Sequence, residues 1–172
     1  CGLEHSTLRT VAARHGCTKG MVQHYFADKE ELLLAALAFV EERFEESTRA
    51  ASAGRQGLDR VDAGLRVQLP VTPLSCRDWQ VRLVFHSHPD PSPSMAELLN
   101  HYHGLRQGHV IGGLRQAQQA GELRPGVQLR NSSRTLLALL WGMGLDAVAD
   151  PARTPISAQK QILKIAIDGL RR

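Results

Sequence analysis

Between Thr10 and Glu30 the chain reads TVAARHGCTKGMVQHYFADKE, and no other stretch restricts its fold as much. A helix-forming run halts at HGCT, resumes at once, and halts again before DKEELLLAAL, where a far longer helical pattern begins. Within STLRTVAARH, Leu8, Val11, Ala12 and His15 share one face at i, i+3, i+4 and i+7, and Ser6 or Thr7 stands where an N-cap is needed. Gly16 provides the left-handed residue that ends a helix. Thr18 can cap the next segment, TKGMVQHY, from which Val22, Tyr25 and Phe26 are expected to pack inward. Asp28 caps a third helix, Glu31 completes a capping box, and Leu33, Leu37, Val40 and Phe44 carry that helix to about Ala53. Two short helices on a tight turn, backed by one long helix, make a poor core. They suit entry into a DNA groove.

Strand signals are nearly absent from the rest of the chain. Breaks at SAGRQG (52–57), LPVTP (69–73), HSHPDPSPS (86–94), GELRPGVQLRNSS (121–133) and ADPARTP (149–155) separate segments of ordinary helical length. The Pro/Ser-rich loop at 88–94 is expected to be a mobile linker. The fold class expected is all-α. A helix-turn-helix head at 1–27 precedes a helical body at 28–172, with 28–53 as the connecting long helix. The chain begins at Cys1 in what reads as the end of an earlier element, so N-terminal residues, including a first helix under the head, are expected to be missing.

With 42% hydrophobic and 22% charged residues, the 172-residue chain can bury a core. A net charge of +4 is compatible with a polyanion partner without requiring one. Near the motif Arg9, Arg14, Lys19 and Lys29 are set against Glu4, Asp28 and Glu30, so a nucleic-acid reading must rest on geometry. Cys1, Cys17 and Cys76 form no CxxC pair, which argues for a reducing, cytoplasmic setting and against a disulfide framework or zinc finger. The most apolar run, Thr135–Ala149, is too short for a bilayer and contains Asp146, so no membrane partner is expected.

The major groove admits one helix, braced by another that crosses the backbone, and the turn between them must be short and contain glycine. Thr7–Gly16–Tyr25 meets these needs. On the second helix Lys19, Gln23 and His24 project polar groups, Gly20 permits close approach, and Thr18 with the free N–H groups beside it can hold a phosphate. The stretch TLRTVAARHGCTKGMVQHYFADKEELLLAAL resembles the DNA-binding region of the tetracycline-repressor (TetR) family of bacterial regulators. Ala12, Gly16, Thr18, Gly20, HYF at 24–26 and KE at 29–30 fall in register with that family's pattern. GELRPGV (121–127), LLALLWGMGLDAVADP (136–151) and ILKIAIDGL (162–170) resemble its last helices, whereas about 55–120 agrees only in helical length. GMVQHYF is closest to the branch that includes the choline-responsive betaine regulator, although that ligand is not carried over. The resemblance implies DNA contacts by Thr7, Arg9, Thr18, Lys19, Gly20, Gln23, His24, Tyr25 and Lys29, with base edges falling mainly to Lys19 and Gln23. Many members have Val where this chain has Cys17, a small residue at Met21 and Tyr at Gln23; Gln23 gives up a phosphate contact but offers an amide suited to adenine.

The resemblance also implies a homodimer formed by the last two helices, a near-palindromic double-stranded operator, and release from DNA by a small-molecule effector of unknown identity. The segment Thr135–Ala149 is apolar nearly all round. Leu136, Leu140, Met143 and Ala147 are expected at the dimer interface, with Ile162, Ala166 and Gly169 as a close-crossing stripe on the last helix. Candidate ligand-lining residues are Phe39, Arg66, Trp79, Arg82, Phe85, His86, Tyr102, His103, Trp141 and Met143. The acidic run EERFEES (41–47) reads as a solvated helix face. No cofactor is implied. HSH (86–88) and HYH (101–103) with His109 raise a metal site, but i, i+2 spacing puts the imidazoles on different faces and no metal is assigned. No nucleophile elbow, phosphate loop or zincin motif points to an enzyme. The alternative reading is a helical dimeric adaptor or ligand-binding protein that does not bind DNA.

Overall fold

The structure is a computed structural model that describes residues 7–172; Cys1, Glu4 and Ser6, named above, lie outside the described residues. The described chain is helical: α1 (Leu8–Arg14), α2 (Lys19–Tyr25), α3 (Lys29–Ser52), α4 (Gly57–Arg66), α5 (Pro73–His86), α6 (Pro93–Gln119), α7 (Leu129–Ala149) and α8 (Ile156–Asp168). An isolated antiparallel bridge between Leu123 and Arg171 ties the turn before α7 to the end of the chain.

Local chemistry sets most of the boundaries. Thr7 Oγ1 accepts from the Thr10 N–H at 3.1 Å to start α1. Gly16, at φ 66°, ends it, with the Cys17 N–H returning to the Ala12 carbonyl at 3.0 Å in a Schellman closure. Thr18 Oγ1 accepts from the Met21 N–H to open α2. Asp28 Oδ1 accepts from the Glu31 N–H at 2.9 Å, while Glu31 Oε2 reaches one residue further back than in a capping box, to the Ala27 N–H. α7 starts at Leu129, so the RNSS segment (130–133) is helical rather than part of the preceding loop.

The head has a core of its own, built from Leu8, Ala12 and Val22 with Cys17, Phe26 and Leu32 against it. Because Leu32 belongs to α3, the head is seated on the helix that continues into the body. There the main core joins Leu58, Val61 and Leu65 of α4 to Val110 and Leu114 of α6, Leu136, Leu137 and Leu140 of α7, and Leu163 and Ile167 of α8. Trp79 of α5 sits among them, fully buried, against Gly144 of α7 at a place where even a methyl group would collide with the indole ring. A third cluster, Leu37, Phe85 and Met95, joins the first half of α3 to the end of α5 and the start of α6.

The buried stripe of α3 runs Leu37, Glu41, Phe44, Thr48, Ser52. The expectation that 41–47 is a solvated face therefore fails at Glu41, which points inward, although Glu42 and Glu46 are exposed. Four expected interface residues are also reassigned. Leu136, Leu140, Met143 and Ala147 are buried by the chain's own helices and have no surface to offer a partner.

Candidate functional site

On α2 the inward residue is Val22, and Lys19, Gly20, Gln23 and His24 stand exposed around it. Tyr25 does not pack inward as expected. It is 73% exposed, with its ring edge-on to His24 at 5.3 Å between centroids. Phe26, four residues after Val22, takes the inward place beside it, so Tyr25 stays outside. Thr7 and Arg9 are exposed at the start of α1, Thr18 at the start of α2, and Lys29 is half-buried at the start of α3. A methyl group on Gly20 would meet nothing nearer than Thr18 Oγ1 at 3.8 Å, so nothing inside the chain demands glycine there. The result is a small outward face of amide, imidazole, phenol and ammonium groups on a rigid turn.

The body holds its polar groups inside. Glu41, on α3, is 1% exposed, Arg82 on α5 is 0% and Arg106 on α6 is 6%. Arg82 donates from Nε to Glu41 Oε1 at 3.1 Å and from Nη2 to Oε2 at 3.0 Å; Arg106 Nη1 donates to the same Oε2 at 2.6 Å. His86 Nε2 lies 3.7 Å from Oε1. One carboxylate thus joins three helices. Burial by itself would raise the Glu41 carboxyl, but the His86 contact and the charges of Arg82 and Arg106 outweigh it and hold the group at about 2. Burial pushes the Arg106 guanidinium down, helped by repulsion from Arg82, to about 10.

Aromatic rings surround this charge. The Arg82 guanidinium carbon lies 3.9 Å from the Phe44 ring centroid, 5.0 Å from Trp79 and 5.3 Å from Trp141, while that of Arg106 lies 5.8 Å from Trp141. His86 stacks edge-on to Trp141 at 4.4 Å, and Trp79 Nε1 donates to the Gln68 carbonyl at 2.7 Å. Beside the cluster is a cavity of about 10 Å³, lined by Glu41, Phe44, Glu45, Thr48, Gln68, Tyr102 and Arg106.

Of the expected ligand-lining residues, Trp79, Arg82, His86, Tyr102 and Trp141 converge on this region. Phe85 and Met143 are plain core, and Phe39 is exposed with the Arg43 guanidinium above it. Arg66 pairs with Asp62 along α4 at 2.8 Å, and His103 faces solvent. The sequence reading missed Glu41, Phe44, Thr48, Gln68 and Arg106. For Glu41 a signal was present, because it lies four residues after Leu37 and three before Phe44, in register with the apolar stripe.

The outer face of α7 and α8 differs from the one expected. Ala138, Gly142 and Leu145 recur at helical spacing on the exposed side of α7, beside Ile165 on α8 and Gly169 just past its end, with Ile162 and Ala166 half-buried between them and the core. Leu145 is 54% and Ile165 60% exposed. Among the described residues no group of three or more His, Cys, Asp or Glu converges as metal ligands would, and no helix is long and apolar enough to cross a membrane.

Residues 57–172 match the family described as "BetI-type transcriptional repressor, C-terminal", and residues 2–36 match "Bacterial regulatory proteins, tetR family". The chain is 27% identical over 146 residues to the HTH-type transcriptional regulator BetI of Stenotrophomonas maltophilia, covering 84% of this chain and 71% of that one. It is 26% identical over 159 residues to the regulator UidR of Escherichia coli, covering 92% and 80%. Among solved structures, a Rhodococcus transcriptional regulator superposes with a TM-score of 0.84 at 26% identity, over 97% of this chain and 86% of that one. A putative transcriptional regulator from Saccharomonospora viridis, solved in complex with choline, has the same fold, with a TM-score of 0.89 at 19% identity over 99% and 90%.

Proposed function

This chain belongs to the tetR family of bacterial regulatory proteins, with a BetI-type C-terminal domain, and from that premise we propose that it is a homodimeric repressor released from a near-palindromic operator by a small effector. It is a DNA-binding transcriptional regulator; the dimer, the operator symmetry, the residue roles and a cytoplasmic location belong to the proposal. The head is residues 1–27, and the body 28–172 binds effector and partner. The observation that carries the reading is the bare polar side of α2, held up by a core too small to need any of those side chains. Lys19 and Gln23 read base edges, His24 and Tyr25 flank them, and Thr7, Arg9, Thr18 and Lys29 meet phosphates, with Gly20 leaving room for the backbone.

Two heads act together only if the bodies pair. A seam of Ala138, Gly142 and Leu145 on α7 with Ile162 and Ile165 on α8 and Gly169 at its C-cap supplies a self-complementary surface of small and branched side chains. A stable interface needs about 1,200 Å² or more. α3 couples the two functions, because Leu32 sits in the head's core and Glu41, about 14 Å further along the same helix, sits in the body's charge cluster. An effector that alters what Glu41 contacts alters where the head stands.

Fluorescence anisotropy with the chain's own promoter DNA tests this. Binding should weaken steeply with salt, and Lys19→Ala should lower affinity about tenfold or more. Ile165→Glu should convert the dimer to monomer in sedimentation velocity and abolish tight operator binding. Wild-type protein that shows no salt-dependent binding to that promoter would leave a helical ligand-binding adaptor as the better description.

A further inference from the structure

Hydrogen-bond donors in the interior of the body outnumber their acceptors. Among the described residues Glu41 is the only carboxylate hydrogen-bonded to Arg82 and Arg106. Asp78 and Glu45 act on these guanidiniums through space but pair with Arg43 at 3.3 Å and Arg49 at 3.6 Å. Arg82 Nη1 and Arg106 Nε and Nη2 are buried without a hydrogen-bond partner among the described residues, on side chains more than nine-tenths buried. Arg106 lines the small cavity between α3 and α6, which has room for about one water. A single water there could meet only part of that demand. Unpaired buried guanidinium donors are costly, and a site that keeps several of them together is built for an acceptor.

We infer that the effector of this regulator is a carboxylate, bound by Arg106 and Arg82 at the cavity between α3 and α6. This rests on the ligand-responsive regulator reading. The flat fork of a guanidinium matches a carboxylate bidentately. A cation is disfavoured because the aromatic enclosure of Phe44, Trp79 and Trp141 is already occupied by the chain's own Arg82. A ligand larger than water needs α6 to move away from α3, and its carboxylate then competes with Glu41 for the guanidiniums. That exchange loosens the tie between α3 and both α5 and α6, so that the liganded state differs in the helix that carries the head.

The test is calorimetric titration of the intact protein, without DNA, with sodium benzoate, a planar aromatic carboxylate. Sodium phosphate and choline chloride at matched ionic strength serve as comparators. Benzoate should bind, phosphate about tenfold more weakly or worse, and choline not at all. Arg106→Gln, which leaves Glu41 and Arg82 balanced and so should fold, should lose about tenfold or more in benzoate affinity, the worth of one charge-assisted hydrogen bond. Glu41→Gln frees both guanidiniums for the ligand and should gain a similar factor, a change that loss of packing would not produce. Should Glu41→Gln fail to fold alone, its rescue by benzoate in thermal melts reads out the same exchange.

Absence of benzoate binding to the wild type, tighter binding of phosphate or choline, or unchanged affinity in Arg106→Gln overturns the assignment. Benzoate that binds yet leaves promoter affinity unchanged overturns its role as effector. Failure of the unliganded protein to bind its promoter would instead overturn the regulator reading, and the titration would still decide whether the site takes a carboxylate.

Discussion

The head and the body treat polar side chains in opposite ways. The head keeps Lys19, Gln23, His24 and Tyr25 outside, on a helix that spends only Val22 on packing. The body draws Glu41, Arg82 and Arg106 into its interior, among rings and aliphatic side chains. The difference follows from size. Three buried side chains cannot enclose a charge, whereas four long helices can remove one from water and then must find it a partner. A substitution on the head's polar face therefore removes no buried contact. A substitution in the body's charge cluster removes a buried partner.

The sharpest way to break that contrast is Glu41→Leu. It leaves two guanidiniums buried together with no carboxylate and should cost about 3–5 kcal/mol in urea unfolding; a cost under 1 kcal/mol would mean that the cluster is already wet. Acid should have nearly as large an effect. Glu41 is held at about 2 against an ordinary 4.5, so the folded chain keeps this carboxylate ionised where the unfolded chain protonates it. Its contribution is fully present above about pH 4.5 and is lost as pH falls toward 2, roughly 3 kcal/mol in all. Urea midpoints measured across that window should show the slope in the wild type and much less of it in Glu41→Gln. Next comes Gly144→Ala, where the added methyl meets the buried Trp79 ring; about 1–3 kcal/mol is expected, with a change in tryptophan fluorescence. At the other end, Lys19→Ala should change the unfolding free energy from urea titration by less than about 0.5 kcal/mol while weakening operator binding as described above. Equal damage to folding and to DNA binding by Lys19→Ala would erase the distinction between the two regions.

Legibility in the sequence divides along the same line. The caps at Thr7, Thr18 and Asp28, the left-handed Gly16 and the start of the long helix could be read from residues within four positions of each other, and they place the head's polar face. Tyr25 was misjudged because Phe26, the next residue, is the aromatic side chain that the small core takes. On α7 the apolar character all round showed that both sides need cover, but not which side the chain covers for itself. The main core took Leu136, Leu140 and Met143, and the weaker stripe of Ala138, Gly142 and Leu145 was left outside. Glu41 was lost in an acidic run whose neighbours Glu42 and Glu46 do face solvent.

What the sequence determined by itself was most of what is decided over short range: the helix starts and stops of the head, the turn in the motif, and the register of most apolar stripes. Tertiary structure alone decided which acid is inside and what it meets, since Glu41 finds Arg82 41 positions away and Arg106 65 positions away. Capping is an interaction between neighbours in the chain and leaves its trace in spacing. An ion pair across three helices exists only after those helices have packed, and the arginines that complete it bear no local mark.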